Sequence, residues 1–561
     1  MTAPRSRRRA RGKPIGHAPR TASKGSLLPA LLASVAVFAV AYLTHASALR
    51  FEFLTSWDDP TYVVDNPWIR GFTAENLRFV FTQPYFANYL PLHLVSYMLD
   101  YTLWGLSPFG FHLQSVLLHA INAVLALWVV RRLFGSLALA SIAAILYAVH
   151  PSQVEAIAWV SIRKDLLSTA FLLLTLLFYL DATGKAKLRA LPYTASVVCF
   201  VLGLFSKVSI AALPAFLLVL DAFPRAGARR RPWKEAIVTK IPYGIAALVL
   251  VYVNNLAQVK AQAAYAQDPI RYLMVKGHAV WNYLSLLTGI PRGRPIYDTP
   301  QFSGDPPRAA VELAGLIVLP VVFWLAERRG WRPLSWAAAW ILILLLPAIL
   351  FPLVTYMADR YLYAPSLGFC WAVAAGILAL SARAGGQAVV TRGLVAAGLT
   401  AVPFALFTLR TLEYMPVWRN SETLWTHTIR HSRDFRARNN LAQVRLAQKR
   451  YEDAERLYRE ASAIDNIVSH QGLATVYYGQ RRYDDAQRSI ERAFEIAATK
   501  RTDPADMAEL HYTRGAIHWV RNERAQAIED WESALRILPG HAGARQWLAT
   551  ARGESPAAAG P

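Results

Sequence analysis

Long apolar runs follow one another through most of the chain and then stop. Runs of about seventeen or more mostly apolar residues can cross a bilayer as helices, and about eleven can be counted. They centre near residues 38, 121, 144, 174, 197, 215, 246, 317, 343, 373 and 401. The first runs from about Leu27 to Phe51, and the third is short and meets polar sequence at His150. Beyond Leu412 charged residues return and apolar positions recur at the spacing of water-facing amphipathic helices. The pattern predicts an all-α protein in four parts. These are a disordered basic tail (1–24), a polytopic transmembrane helix bundle (25–412), a helical repeat region (413–553) and a short disordered tail (554–561).

The repeat region has its own period. Leu441-Ala442, Tyr451, Ala454, Tyr458 and Ala461 recur as Leu473-Ala474, Tyr477, Tyr483, Ala486 and Ala493. Gly515, Trp519, Ala527, Trp531, Ala534 and Pro539 make a third unit after an insertion around Thr499 to Asp506. A half-unit, Ser421 to His431, precedes them, and a short helix from about Ala542 to Arg552 caps the end. A period of about 32 to 34 residues is tetratricopeptide (TPR) spacing. Small residues let paired helices approach, aromatics fill between them, and stacked pairs form an α-solenoid whose concave face suits a peptide or another subunit.

Composition agrees with a membrane protein: 54% of residues are hydrophobic and the mean hydropathy is positive. The net charge of +23 does not call for a nucleic-acid partner, because the basic residues lie in clusters between apolar runs. Those clusters are the tail Arg5-Ser6-Arg7-Arg8-Arg9, Arg131-Arg132, Lys185 to Arg189, Arg225 to Lys234, Arg328 to Arg332 and Arg383 to Arg392. The positive-inside rule puts them all on the cytoplasmic side if the segment from about Arg271 to Ile290 is a loop helix that does not cross. The N-terminus is then cytoplasmic, and the repeat region lies outside, with the loop that follows the first span. Cys199 and Cys370 fall in apolar runs and read as packing residues. The Arg-rich, Ala- and Leu-biased composition points to a bacterial inner (plasma) membrane.

The non-cytoplasmic loops carry the candidate chemistry. Trp57-Asp58-Asp59-Pro60 follows the first span, where a carboxylate sits at the lipid–water boundary. Taken alone, the acidic pair reads as a turn before proline. Asn88-Tyr89-Leu90-Pro91-Leu92 then leads into an aromatic, amphipathic stretch suited to the interface. His119 and Asn122, one turn apart in the second span, face one way, and hydrogen bonding between helices is their ordinary use. The segment from His150 through Glu155 and Trp159 to Arg163-Lys164-Asp165 places acids and bases at the mouth of two spans. Ser206-Lys207 and Tyr356 to Tyr363, which includes Arg360, emerge on the same side. Arginine and lysine at headgroup level suit a phosphate. Together these groups suit attack by an acceptor hydroxyl on a lipid-phosphate-linked sugar. A carboxylate acts as general base and cations stabilise the leaving phosphate.

Several motifs resemble one family. They are Trp-Asp-Asp with Asn66-Pro67 following, Tyr89-Leu90-Pro91-Leu92, and Leu117-Leu118-His119-Ala120 with Asn122-Ala123. To these add the 150–165 segment, Ser206-Lys207 with Leu213-Pro214 and Asp221 downstream, and Arg360-Tyr361-Leu362-Tyr363. The chain from Phe51 to Leu538 resembles the transmembrane and TPR-containing (TMTC-type) protein O-mannosyltransferases and their bacterial relatives, of the GT-C glycosyltransferase superfamily. The resemblance implies a polyprenyl-phosphate sugar donor, with mannose or another hexose, and a protein Ser/Thr hydroxyl as acceptor, held by the TPR array. It implies catalytic carboxylates at Asp58 and Asp59, with Asp58 favoured as base and the reverse assignment left open. Arg163, Lys164, Lys207 and Arg360 are expected on the donor phosphate, with His150, Glu155, Asp165, His119 and Tyr89 in support. Some relatives bind a divalent metal, for which His150 and Glu155 would be the ligands here; none is expected, and no other cofactor. The competing readings are transfer to an envelope glycan or lipid, a non-enzymatic TPR membrane scaffold, and a solute transporter. Transporters gather polar groups near the bilayer midplane, whereas these gather at one surface.

Overall fold

The computed structural model describes residues 27–184, 187–225, 230–257, 268–302, 306–351, 355–385, 388–499 and 502–553. The tails at 1–24 and 554–561, together with Lys185 and Arg229 of the basic clusters, lie outside the described residues. Every regular element among the described residues is helical, and a single bridge between Tyr85 and Asn88 closes a turn.

Among the described residues, eight helical segments are long and apolar enough to span a membrane: Leu27–Arg50, Pro108–Phe134, Val160–Ala182, Trp233–Ala257, Pro306–Arg328, Arg332–Leu350, Ser366–Ala384 and Val389–Trp418. The expectation of about eleven spans is therefore corrected to eight, or nine if one bent pair counts. That pair, Leu137–Ala148 and Pro151–Ala158, is bent by 54°. The bend falls at His150, whose backbone is extended, because the residue before a proline is driven out of the helical region. The runs near 197 and 215 are shorter helices, Ala190–Ser206 and Val208–Ala222. Between them Lys207 is extended, at φ −162° and ψ 127°. The break falls where Ser206-Lys207 was expected to emerge between the two runs.

The two ends of the bundle differ in charge. At one, Arg132 and Arg189 pair with Asp181 at 3.7 and 2.8 Å, and Arg225 donates to the Arg132 carbonyl at 3.0 Å. The Arg332 guanidinium lies 5.8 Å from the Phe223 ring. The basic clusters around residues 132, 189, 225 and 332 thus share one end. The helix Pro269–Leu287 is not among the spanning helices and packs at the other. Its Tyr272 hydroxyl donates to Ile349 O at 2.9 Å, and its Trp281 indole to Val311 O at 2.8 Å. Both acceptors lie on the helix ends remote from the Arg328–Arg332 turn. Gly277 and Gly315 permit this contact, since a Cβ on Gly277 would stand 1.9 Å from Glu312 O.

The helix Pro91–Trp104 buries Leu94, Tyr97, Met98 and Asp100 while leaving Leu99, Leu103 and Trp104 exposed. This is the division an interfacial helix needs.

The C-terminal region is a series of helix pairs. Phe435–Ala447 pairs with Tyr451–Ala461, Ile467–Gly479 with Tyr483–Thr499, and Pro504–Val520 with Arg524–Ile537. Within each pair the turn holds one non-glycine residue in the left-handed region: Lys449 (φ 59°), Arg481 (φ 61°) and Asn522 (φ 65°). The same strained position recurs in each helix pair. The helices Ser421–His431 and Ala542–Arg552 flank the series. Gly472 packs on the Tyr458 ring and Gly515 on Trp531, so tightly that any Cβ would collide.

Candidate active site at one end of the bundle

The loop after the first span turns back on itself around Asp59. This carboxylate is buried and accepts hydrogen bonds from Leu54 N at 2.8 Å, from Ser161 N at 3.1 Å and from the Ser161 hydroxyl. Asp59 therefore ties the first outer loop to the 150–165 segment. Burial pushes its carboxyl up to about 6, against the pull of these donors. Its neighbour Asp58 points the other way, into a cavity of about 540 Å³.

That cavity collects groups from five parts of the chain: Asp58, then Asn88 and Leu90, then Trp159, Lys164 and Asp165, then Lys207, then Arg360 and Tyr361. Lys164 sits over the Tyr62 ring at 5.2 Å, and Lys207 over Tyr361 at 5.3 Å while paired with Asp165. Arg360 is held from behind. Fully buried Glu155 pairs with its guanidinium and accepts from its backbone N at 2.9 Å. Burial opposes the charge on Arg360, but Glu155 and its neighbours raise it above the usual arginine range. Burial also raises Asp58, although the charges of Lys164 and Arg360 pull it back. A carboxylate made more basic beside three cations can accept a proton while those cations hold an anion. The remaining wall is largely apolar, with Ile210, Val251, Leu344, Ala348 and Phe351, and is suited to a hydrocarbon chain.

Other expected site residues lie elsewhere. Arg163 is fully buried beneath the interfacial helix, paired with Asp100, donating to Phe111 O at 2.7 Å and lying 4.8 Å from the Tyr97 ring. It pins helices together and is not on the cavity wall. His119 meets the Tyr363 hydroxyl at 2.9 Å and Ala148 O at 3.0 Å, and Asn122 donates to Leu166 O at 2.9 Å. Both are used between helices. His150 holds Leu287 O at 2.9 Å and the Ser152 hydroxyl at 2.8 Å. With Glu155 engaged by Arg360, the two residues considered for a metal serve other partners. Tyr89 donates to Phe81 O at 2.7 Å, while Asn88 and Leu90 on either side reach the wall.

Sequence reasoning passed over several wall residues: Asn88, Ser168, Thr169, Ser209, Asn254 and Asn255. Asn254-Asn255, a polar pair near the end of an apolar helix, was a usable signal, since polar groups at membrane depth face the interior or a cavity. The serines and threonines gave none, because such residues commonly bond to their own helix backbone.

Residues 91–257 match the family model for dolichyl-phosphate-mannose-protein mannosyltransferase. The match contains the 117–123, 150–165 and 206–207 motifs and excludes Asp58 and Arg360. The chain is 31% identical over 201 residues to mouse protein O-mannosyl-transferase TMTC1, covering 34% of this chain and 21% of that protein. Against human TMTC4 it is 31% identical over 182 residues, covering 28% and 24%, and against mouse TMTC3 39% identical over 97 residues, covering 17% and 10%. The matched part thus spans no more than about a quarter of the length of these relatives. Among solved structures, the oligosaccharyltransferase of Archaeoglobus fulgidus in the apo form is similar at a TM-score of 0.42 and 12% identity, covering 70% of this chain and 57% of that one. The chain is a multispan membrane protein with a segment similar to O-mannosyltransferases.

Proposed function

We propose that this protein is a GT-C-type membrane glycosyltransferase that moves a sugar, mannose or another hexose, from a polyprenyl-phosphate carrier to a protein Ser/Thr hydroxyl on the non-cytoplasmic face of a bacterial plasma membrane. One observation carries the reading: the Asp58 carboxylate shares a partly apolar cavity with Lys164, Lys207 and Arg360, while Asp165, the other carboxylate on that wall, is paired with Lys207.

In this reading the acceptor hydroxyl gives its proton to Asp58 as its oxygen attacks the anomeric carbon. The bond from that carbon to the phosphate oxygen breaks, and the phosphate leaves with the bonding pair. Lys164, Lys207 and Arg360 stabilise the charge that develops on it. The polyprenyl tail lies along Val251, Leu344 and Phe351. Asp59 and Arg163 position the loops and touch neither substrate. The basic clusters gathered at the opposite end support a cavity facing away from the cytoplasm, and the helix pairs support a TPR-type array that receives the protein acceptor.

The test is transfer from a radiolabelled polyprenyl-phosphate mannose to a Ser/Thr-rich acceptor protein by the purified chain in lipid nanodiscs. Asp58→Asn should lower the rate by about 10²-fold or more. Transfer by Asp58→Asn at the wild-type rate would remove the proposed base. Transfer from a nucleotide sugar, or to envelope glycan in place of protein, would overturn the donor or the acceptor.

A further inference from the structure

The segment that delivers Asp58 to the cavity is not held by the membrane bundle alone. The Trp57 ring lies 4.0 Å from that of Trp159, which lines the cavity, and 4.8 Å from that of Trp425, with Trp418 6.1 Å away. Trp418 and Trp425 are fully buried and belong to the entry of the C-terminal helical region. Polar contacts run alongside. The Trp425 indole donates to the Ser56 hydroxyl at 2.6 Å, Ser56 N donates to the Ser421 hydroxyl at 3.3 Å, and Glu52 N donates to Arg419 O at 2.9 Å. A second arm of the same entry reaches the cation side. Arg433 N donates to Asp298 at 3.0 Å, and the adjacent Tyr297 hydroxyl donates to Asp359 at 2.5 Å, next to Arg360.

We infer that the first turns of the C-terminal helical region are part of the catalytic centre, with Trp425 the positioning residue that holds Trp57 and Ser56 and so fixes where Asp58 stands. This rests on the function proposed above. The geometry makes the start of the repeat region a support behind the Asp58 segment as well as a docking platform. Four indoles from three separate segments exclude water from one flank of Asp58. Lys164 and Arg360 face it with positive charge, Asp59 and Tyr62 are ionisable neighbours, and the Lys207–Asp165 pair shares its cavity. Loss of the Trp425 ring opens that flank to water, so Asp58 shifts in position and titrates nearer an ordinary carboxylate.

The experiment uses the full chain in nanodiscs and two readouts. One is the pH profile of sugar transfer. The other needs no activity: the pH midpoint of Asp58 modification by a hydrophobic carbodiimide, which reacts with protonated carboxyls, scored by peptide mass spectrometry. Trp425→Ala should lower kcat about tenfold to hundredfold with little change in donor KM, and should move both pH midpoints downward. Trp425→Phe, which keeps a ring against Trp57, should recover most of both. Trp547→Ala, at the far end of the array, should leave both unmoved. Should Trp425→Ala fail to fold, Ser56→Ala carries the test, with a smaller shift of the same sign. Wild-type kcat and midpoints in Trp425→Ala or Ser56→Ala would overturn the inference. So would equal shifts in Trp547→Ala, which would mark a general softening of the array. A wild-type protein that transfers no sugar from any lipid donor would sink the proposed function, and the labelling midpoints would still decide this one.

Discussion

Asp58 and Asp59 are chain neighbours with opposite expected phenotypes, and separating them is the sharpest check on the site. Asp59 accepts from two backbone amides and one hydroxyl while 1% exposed. Asp59→Ala strands all three donors in a buried loop. An unsatisfied buried donor costs about 1–3 kcal/mol, so a loss of about 3 kcal/mol or more is expected. Asp58 has no such role. Burial opposes its charge, and Asp58→Asn removes that charge at nearly constant volume. Asp58→Asn should therefore keep or slightly raise stability while transfer collapses. Asp59→Ala should lose stability first, and its surviving folded fraction should retain part of its transfer. The assay pairs the apparent melting temperature in detergent, by loss of monodisperse protein on heating, with transfer per folded molecule. The reasoning fails if Asp59→Ala melts within about 1 kcal/mol of wild type, or if Asp58→Asn is the less stable of the two.

Three further outcomes follow from the same contacts. Arg163→Met leaves Asp100 charged and unpaired in the interior, at a cost of about 3–5 kcal/mol; it should fail to accumulate, and Arg163→Met/Asp100→Leu should restore yield in membranes. Lys164→Met removes the cation that lowers Asp58 most, so the acid limb of the transfer profile should move to higher pH as the rate falls; a limb that stays put or moves down contradicts the assignment. Asp359 is raised to about 8, by burial first and Glu155 next, so the folded state holds a proton that the unfolded chain releases from about pH 4 upward. The stability it contributes is present below that value and is lost as pH rises through about 8. Melting temperatures between pH 5 and 9 should fall more steeply for wild type than for Asp359→Asn.

Much of the architecture was legible because hydrophobic length and period are local properties. The runs centred near 38, 121, 174, 246, 317, 343, 373 and 401 are long helices, and the C-terminal region is a series of helix pairs. The misses have local causes too. The breaks at His150 and Lys207 fall where polar residues were expected to end the runs, but the two runs on either side of Lys207 proved too short to count as spans. At the candidate site, the loops named from sequence reach one cavity, but not always through the expected residue of a pair. Asp58, Lys164, Lys207, Asp165 and Arg360 are brought to one cavity, while Arg163, His119, His150 and Tyr89 are turned into the packing around it.

The sequence by itself settled the all-helical class, the alternation of apolar runs with basic clusters, and which segments carry acids and bases. Only the tertiary structure decided which member of Asp58/Asp59, Arg163/Lys164 and Asn88/Tyr89 faces the cavity. Successive side chains leave the backbone in different directions, and the direction each one keeps is fixed by partners far along the chain. Ser161 holds Asp59, Asp100 holds Arg163, and Glu155 holds Arg360. No local pattern encodes those pairings, because they exist only once the helices have packed.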